Sequence, residues 1–390
     1  MEVTPFSVTK ELLIDRIDAL LQAVIRLAQG YFGGNFAYLK ITVGTVLISL
    51  LTVFPFYYKD LHNGMSGELH HPSALALSYK VQHPLSPIPS SIKDTPYVGA
   101  ASHIDKLELR LTLPILGWLS GTGVWTVIIW NHFSALVVFF LLAHLANQAV
   151  GDLVSSALFV LGVGATFFGS WFFNDIYFGD GVAYLFLLLS VASRYPALSF
   201  CSFLVAAFCD ERCVAAGPLL CLYFFVSHRQ DGEKALRLKQ CIAIVAAAGA
   251  WMLLRIWLAG ALHLVTGTSQ LMTREILINN FGKNLPGTFL GVFKASWTLP
   301  VVGLFSLVSR RKWASSWLFL GAFSLAAAPA FVVYDFERSL SYTFVVLLIS
   351  LHFLWGDKKA SRKYLAAVLV ANLLLTSPLY SVLRIGQWLL

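Results

Sequence analysis

The sequence predicts an all-α, polytopic membrane protein of about eleven transmembrane spans, preceded by an amphipathic helix that lies on the membrane surface. Three observations carry that reading. Of 390 residues, 57% are hydrophobic and only 12% charged, and the mean hydropathy is +0.72, well outside the range of soluble domains. Apolar runs of roughly 14–24 residues follow one another along the chain, each long enough for a full or shortened membrane helix. Lys and Arg collect in the short stretches between those runs, with a roughly threefold bias to one side. The net charge of +8 therefore reads as a topology signal, and nucleic acid is not implied as a partner.

The first element is "VTKELLIDRIDALLQAVIRLAQ". Leu12, Leu13, Ile17, Leu20, Leu21, Val24 and Ile25 recur at helical spacing, with Lys10, Asp15, Arg16, Asp18 and Gln22 largely opposite, which is the pattern of an interfacial helix. Residues 1–36 form that cytoplasmic helix, and residues 37–390 form a single membrane domain that includes an outer loop at 58–122. No cleavable signal is read here, because Glu11, Asp15 and Asp18 interrupt the apolar positions. Spans are predicted near 37–57, 123–145, 151–172, 180–193, 196–209, 213–227, 241–262, 286–308, 314–334, 339–355 and 364–384. With a cytoplasmic amino terminus, the inside loops collect Arg194, Arg229, Lys234, Arg237, Lys239, Arg310, Arg311, Lys312, Lys358, Lys359, Arg362 and Lys363. The outer loops after the second span hold only Arg212, Arg274, Lys283 and Arg338, and the roughly threefold bias is counted over that part of the chain.

Within the outer loop, five prolines between Pro72 and Pro96 predict an irregular segment folded over the outer mouth. "HIDKLELRLTLPILGWL" sets Ile104, Leu107, Leu111 and Ile115 at helical spacing, with Lys106, Glu108 and Arg110 between them and Pro114 expected to end or kink the helix. Glu68, His70 and His71 are the nearest approach to a metal set, but their spacing is not that of a helical H-E-x-x-H. No resident cofactor is expected, with a divalent metal at Glu68, His70 and His71 as the alternative. Cys209 and Cys213 stand one helical turn apart and read as packing residues.

The informative charges are carboxylates. Four groups fall at outer span ends: Asp60, the pair Asp175 and Asp180, Asp210-Glu211-Arg212, and Asp335-Phe336-Glu337-Arg338. The runs 180–193, 196–209 and 213–227 each rise only about 21 Å as helix, against a hydrocarbon core of about 30 Å. Their outer ends should therefore lie recessed, and a recessed carboxylate needs water or a partner. Asp60, Asp175, Asp180 and Asp210 are accordingly expected to line one cavity as candidate catalytic residues. For Glu211 with Arg212, and Glu337 with Arg338, a local ion pair is the competing expectation. Arg212, Arg338, Asp335, and the intramembrane cations Arg255 and Lys294 are candidates for holding an anionic substrate, guanidinium being suited to phosphate.

This layout resembles the GT-C class of membrane glycosyltransferases. The likeness rests on Asp60 just beyond the first span, a long and partly helical first outer loop, further charged outer span ends, and several short spans; it covers most of the chain in arrangement and carries no diagnostic motif. The resemblance implies a polyprenyl-phosphate-linked sugar donor, a glycan or lipid acceptor, Asp60 as general base, and Arg255, Lys294 or Arg338 as phosphate contacts. Family members often have two adjacent acids where this chain has Lys59-Asp60, so Asp175, Asp180 and Asp210 stand as alternatives for the base. The expected location is a bacterial cytoplasmic (inner) membrane, among membrane lipids. A secondary transporter or flippase for a lipid-linked or anionic substrate would use similar charges, though nearer the midplane. A non-catalytic scaffold in polysaccharide assembly is the third reading.

Overall fold

Serial apolar runs joined by short polar turns fold, in the computed structural model, as helices packed on helices. It describes residues 5–65, 72–93, 100–174, 179–227, 234–264, 285–333, 335–354 and 357–375. All regular structure among them is helical, so the all-α expectation holds. The chain begins with α1 (Pro5–Phe32) and α2 (Ala37–Met65), then four short helices, α3 (Pro72–Gln82), α4 (Ser90–Lys93), α5 (Ala100–Leu107) and α6 (Thr112–Ser120). The bundle continues with α7 (Thr126–Val150), α8 (Leu153–Gly164), α9 (Phe167–Asn174), α10 (Asp180–Ala192), α11 (Pro196–Cys209), α12 (Arg212–Ser227) and α13 (Lys234–Ala261). It closes with α14 (Leu285–Phe293), α15 (Thr298–Ser309), α16 (Trp313–Ala327), α17 (Phe336–Ser341), α18 (Val345–Leu351) and α19 (Lys358–Leu375).

Among the described residues, four helices are long and apolar enough to cross a membrane, and a fifth crossing results if the bent pair α8–α9 is one span. These helices mark a membrane protein, and the remaining predicted spans correspond to shorter or broken helices. The helices α10, α11 and α12 fall below that length, with 13, 14 and 16 residues. Burial explains how α10 can be so short. It packs between α7 and α11, and its side chains from Asp180 to Leu185 are all buried. A helix apolar on every side belongs inside protein. The predicted span 339–355 is likewise broken into α17, a 3-10 turn and α18, with every residue of α18 buried.

The predicted span 151–172 bends by 65° between α8 and α9. A break inside an apolar bundle strands backbone carbonyls, which need partners there. Four side chains supply them: Asn372 Nδ2 donates to Gly162 O at 2.9 Å, Thr166 Oγ1 to Val163 O at 2.6 Å, Ser49 Oγ to Gly164 O at 2.9 Å, and Lys294 Nζ to Ala165 O at 2.8 Å. At the other end of α8, Asp152 caps the helix by accepting from Ser155 N at 2.9 Å, and Arg362 grips the same carboxylate at 2.9 and 2.6 Å.

The amphipathic α1 packs on α8 and α19. Leu21, Ile25, Ala28 and Phe32 form its buried stripe, whereas Ile14, Ile17, Leu20 and Leu27 remain exposed. Its apolar positions thus serve two surfaces, and Lys363 of α19 pairs with Asp18.

The stretch 72–120 corrects the sequence expectation. Residues 72–82 are helical despite the flanking prolines, because Pro72 occupies the first helical position, where a missing N–H costs nothing. Ala76, Ile88, Ile104 and Leu107 make a small core of their own. Glu108, fully buried, accepts from Ile88 N at 3.0 Å and pairs with Lys93 at 2.7 Å. Pro114 does not end the helix containing Ile104 and Leu107; the chain breaks earlier, after Leu107, and Pro114 sits in the first turn of α6.

Candidate functional site

Chain direction places the start of α10, the turn between α11 and α12, and the start of α17 at one end of the bundle, under the helices of residues 72–120. Asp180 is the first residue of α10 and is 1% exposed. Its two flanking glycines explain how it gets there. A Cβ at Gly179 would lie 1.8 Å from Leu113 Cδ1, and one at Gly181 would lie 2.7 Å from the Phe172 ring and 2.8 Å from Asn131 Oδ1. The run Gly179-Asp180-Gly181 therefore presses the backbone carrying Asp180 against α6, α7 and α9.

Asp180 meets Arg338 head-on. Arg338 Nε lies 2.9 and 2.8 Å from its two oxygens, Arg338 Nη2 lies 2.8 Å from Oδ2, and Tyr342 Oη donates to Oδ1 at 2.5 Å. Arg338 Nη2 also approaches Asp210 Oδ2 at 3.5 Å, and Nη1 lies 3.7 Å from Asp335. Tyr184 and Ser341 brace this contact from behind. Ser341 Oγ donates its one proton to Arg338 O at 2.6 Å, so Tyr184 is the donor in the 2.6 Å bond between their hydroxyls.

Asp210, 2% exposed, is the second hub. Arg212 reaches it from Nε at 2.8 Å, Nη2 at 3.0 Å and its own backbone N at 3.0 Å. Arg110 Nη1 reaches it at 3.0 Å. Burial works against the charge of Asp210, but Arg110, Arg212 and Arg338 more than offset that and hold its carboxyl well below the usual range. Glu211 is lowered in the same way, chiefly by Arg110 against the effect of burial. Arg110 grips Glu211 at 3.1 and 2.8 Å, and Arg255 approaches the same carboxylate at 3.9 Å.

The structure therefore brings together Asp180, Asp210, Arg212, Arg255, Asp335 and Arg338 among the predicted site residues. Their character differs from the expectation: Asp180 and Asp210 do not line a carboxylate-walled, water-facing cavity but lie inside a packed lattice of guanidinium groups. The local pair expected between Glu211 and Arg212 does not form: the strong partner of Glu211 is Arg110, about a hundred residues earlier in sequence, and Arg212 pairs with Asp210 instead. Lys294 is placed at the α8–α9 break, on the Ala165 carbonyl, a position set by the helix-end dipole. Asp60 lies near the end of α2, five residues before its last residue, Met65. Asp175 lies outside the described residues, as do Glu68, His70 and His71.

Arg110 was legible only as a polar residue on an amphipathic stretch; nothing in its neighbours marks it as a ligand of Asp210. Tyr342, Tyr184 and Trp171 were equally hidden, the last lying with its ring 5.9 Å from the Arg338 guanidinium carbon. Arg212 stacks over Tyr342 at 5.5 Å, and its buried Nη1 has no hydrogen-bond partner among the described residues. Between this cluster and the covering helices runs a small pocket lined by Lys80, Arg110, Leu113, Gly179 and Cys209. Lys80 is fully buried and donates to Ser86 O at 3.0 Å. Burial, partly opposed by Glu108, lowers its pKa to about 8. Cys209 is a free thiol that donates to Gly179 O at 3.1 Å, and Cys213 is also free, as their packing role predicts. Among the described residues, no group of three or more His, Cys, Asp and Glu could hold a metal ion.

These groups can bind and polarise an anion; Asp210, held ionised so firmly, is a weak proton acceptor. No family model, curated protein or solved structure matches the chain.

Proposed function

We propose that this chain is a GT-C-type membrane glycosyltransferase of about eleven spans, transferring a sugar from a polyprenyl-phosphate-linked donor to a glycan or lipid acceptor. The reaction is placed on the extracytoplasmic side of a bacterial inner membrane, with the amino terminus cytoplasmic, following the Lys and Arg bias. The observation that carries the proposal is the convergence of Arg110, Arg212, Arg255 and Arg338 at one end of the bundle, around carboxylates that orient them. Glycosyl transfer makes two demands. The acceptor hydroxyl attacks the anomeric carbon as its proton passes to a base, while the bond to phosphate breaks and the phosphate leaves with the electron pair. Prealigned guanidinium groups stabilise that departing charge.

In this reading Asp180 and Asp210 are positioning residues. Each fixes arginine planes so that remaining N–H bonds, Arg212 Nη1 among them, face the donor phosphate. Asp60 takes the role of base, as the resemblance to GT-C enzymes implies, since Asp210, clamped by three arginines, is a weak proton acceptor. Asp175 is the next candidate. A non-catalytic scaffold is the second reading, favoured by the direct pairing of both Asp180 and Asp210 with arginine. Turnover of a polyprenyl-phosphate sugar by Asp60→Asn, measured beside thermal stability, separates them. Loss of about 100-fold or more in rate with an unchanged unfolding temperature is expected. Wild-type turnover in both Asp60→Asn and Asp175→Asn would sink the base assignment, and no turnover by the wild type with any such donor would sink the enzyme.

A further inference from the structure

At the opposite end of the bundle from Asp180 lies a pocket of about 530 Å³. The last turn of α12, the first of α13, the end of α15 and the start of α16 surround it, with Phe353 following α18. Its walls are apolar, including Leu222, Phe225, Leu318 and Phe319, and its charged lining residues are Arg237, Arg310 and Lys312. Among the described residues, no carboxylate lines it. Three cations from two chain segments, the first turn of α13 and the α15–α16 turn, thus meet over one apolar hollow of a size that suits a small ligand.

A positive-inside signal requires only that cations lie on one side of the membrane; it does not require a shared cavity. Two further features narrow the ligand. Lys312 caps the amino terminus of α16, a 15-residue helix whose free N–H groups and dipole add to the positive potential. Trp313 and Trp317 are 57% and 71% exposed just beyond Lys312, as side chains of the membrane interface are. The pocket therefore combines anion recognition with an apolar wall at interfacial depth.

We infer that this pocket binds the phosphate head group of an anionic membrane phospholipid, with the first part of an acyl chain against Phe225 and Leu318. It is independent of the donor site proposed above, from which the length of α12 separates it.

The test is a titration of the detergent-solubilised full chain with fluorescently labelled phosphatidic acid, competed by unlabelled phosphatidic acid, phosphatidylcholine or inorganic phosphate. Each cation removed in Arg237→Gln, Arg310→Gln and Lys312→Gln should weaken binding by about fivefold. The control variant Lys358→Gln with Lys359→Gln, of equal sign on the same face but outside the pocket, should leave affinity unchanged. Arg338→Gln should also leave it unchanged, which separates this site from the arginine cluster. Equal losses in the control variant, or competition by phosphatidylcholine as strong as by phosphatidic acid, would overturn the proposal. Displacement by inorganic phosphate alone at comparable concentration would identify a soluble phosphate site and overturn the lipid assignment.

Discussion

The contact between Arg338 and Asp180 sets the largest energetic stake in the site. Both groups are almost fully buried, and Arg338 uses Nε and Nη2 together on one carboxylate. Arg338→Gln leaves Asp180 with Tyr342 Oη but no cation at hydrogen-bond distance, whereas Asp210 keeps both Arg110 and Arg212. An ionised carboxylate stripped of its partner inside protein costs about 3–5 kcal/mol. Asp180→Asn creates the mirror problem in milder form, because Arg338 retains Asp210 at 3.5 Å and Asp335 at 3.7 Å. The double variant Asp180→Asn with Arg338→Gln exchanges the ion pair for a neutral amide pair of similar shape. It should be more stable than Arg338→Gln alone, with a coupling of about 1–3 kcal/mol in the double-mutant cycle. Unfolding in detergent, followed by thermal and denaturant midpoints, measures all four corners. Additive single effects, or a loss below about 1 kcal/mol for Arg338→Gln, would refute a buried and mutually dependent pair.

Three further outcomes are expected. Lys294→Met removes the cation from the Ala165 carbonyl and should cost about 1–3 kcal/mol of stability, while a substrate-binding role would show instead as a raised KM at unchanged stability. Asp152 is partly buried, but its bonds to Arg362 and Ser155 outweigh that and hold its pKa at about 2 against an ordinary 3.8. A depressed folded pKa means that its contribution, about 1 kcal/mol once solvent screening is allowed for, is complete above about pH 5 and is lost as pH falls towards 2. In an Arg362→Gln background that part of the acid sensitivity should vanish from a series of unfolding midpoints against pH. Gly181→Ala forces a methyl to within 3 Å of Phe172 and Asn131, so a destabilisation of about 1–3 kcal/mol is expected. A neutral result in thermal unfolding would contradict the close approach at Asp180.

By itself the sequence determined the membrane character and the all-helical class, because these follow from local quantities: apolar run length, turn residues and the placement of Lys and Arg. It also determined that Asp180, Asp210 and Arg338 belong near one another, since alternating passes of the chain must return span ends to the same face. Tertiary structure alone decided what those charges do. Arg110 reaches Asp210 and Glu211 from a loop about a hundred residues away, and Tyr342 reaches Asp180 across a still longer interval; no local spacing encodes such a contact. The same holds for Lys294, whose depth matched a substrate contact but whose partner is a carbonyl exposed by a bend in another helix. Short helices read as shallow spans proved, in α10, to be a helix enclosed by others. Hydropathy measures only how strongly a segment avoids water, and lipid and protein interior satisfy that requirement equally well.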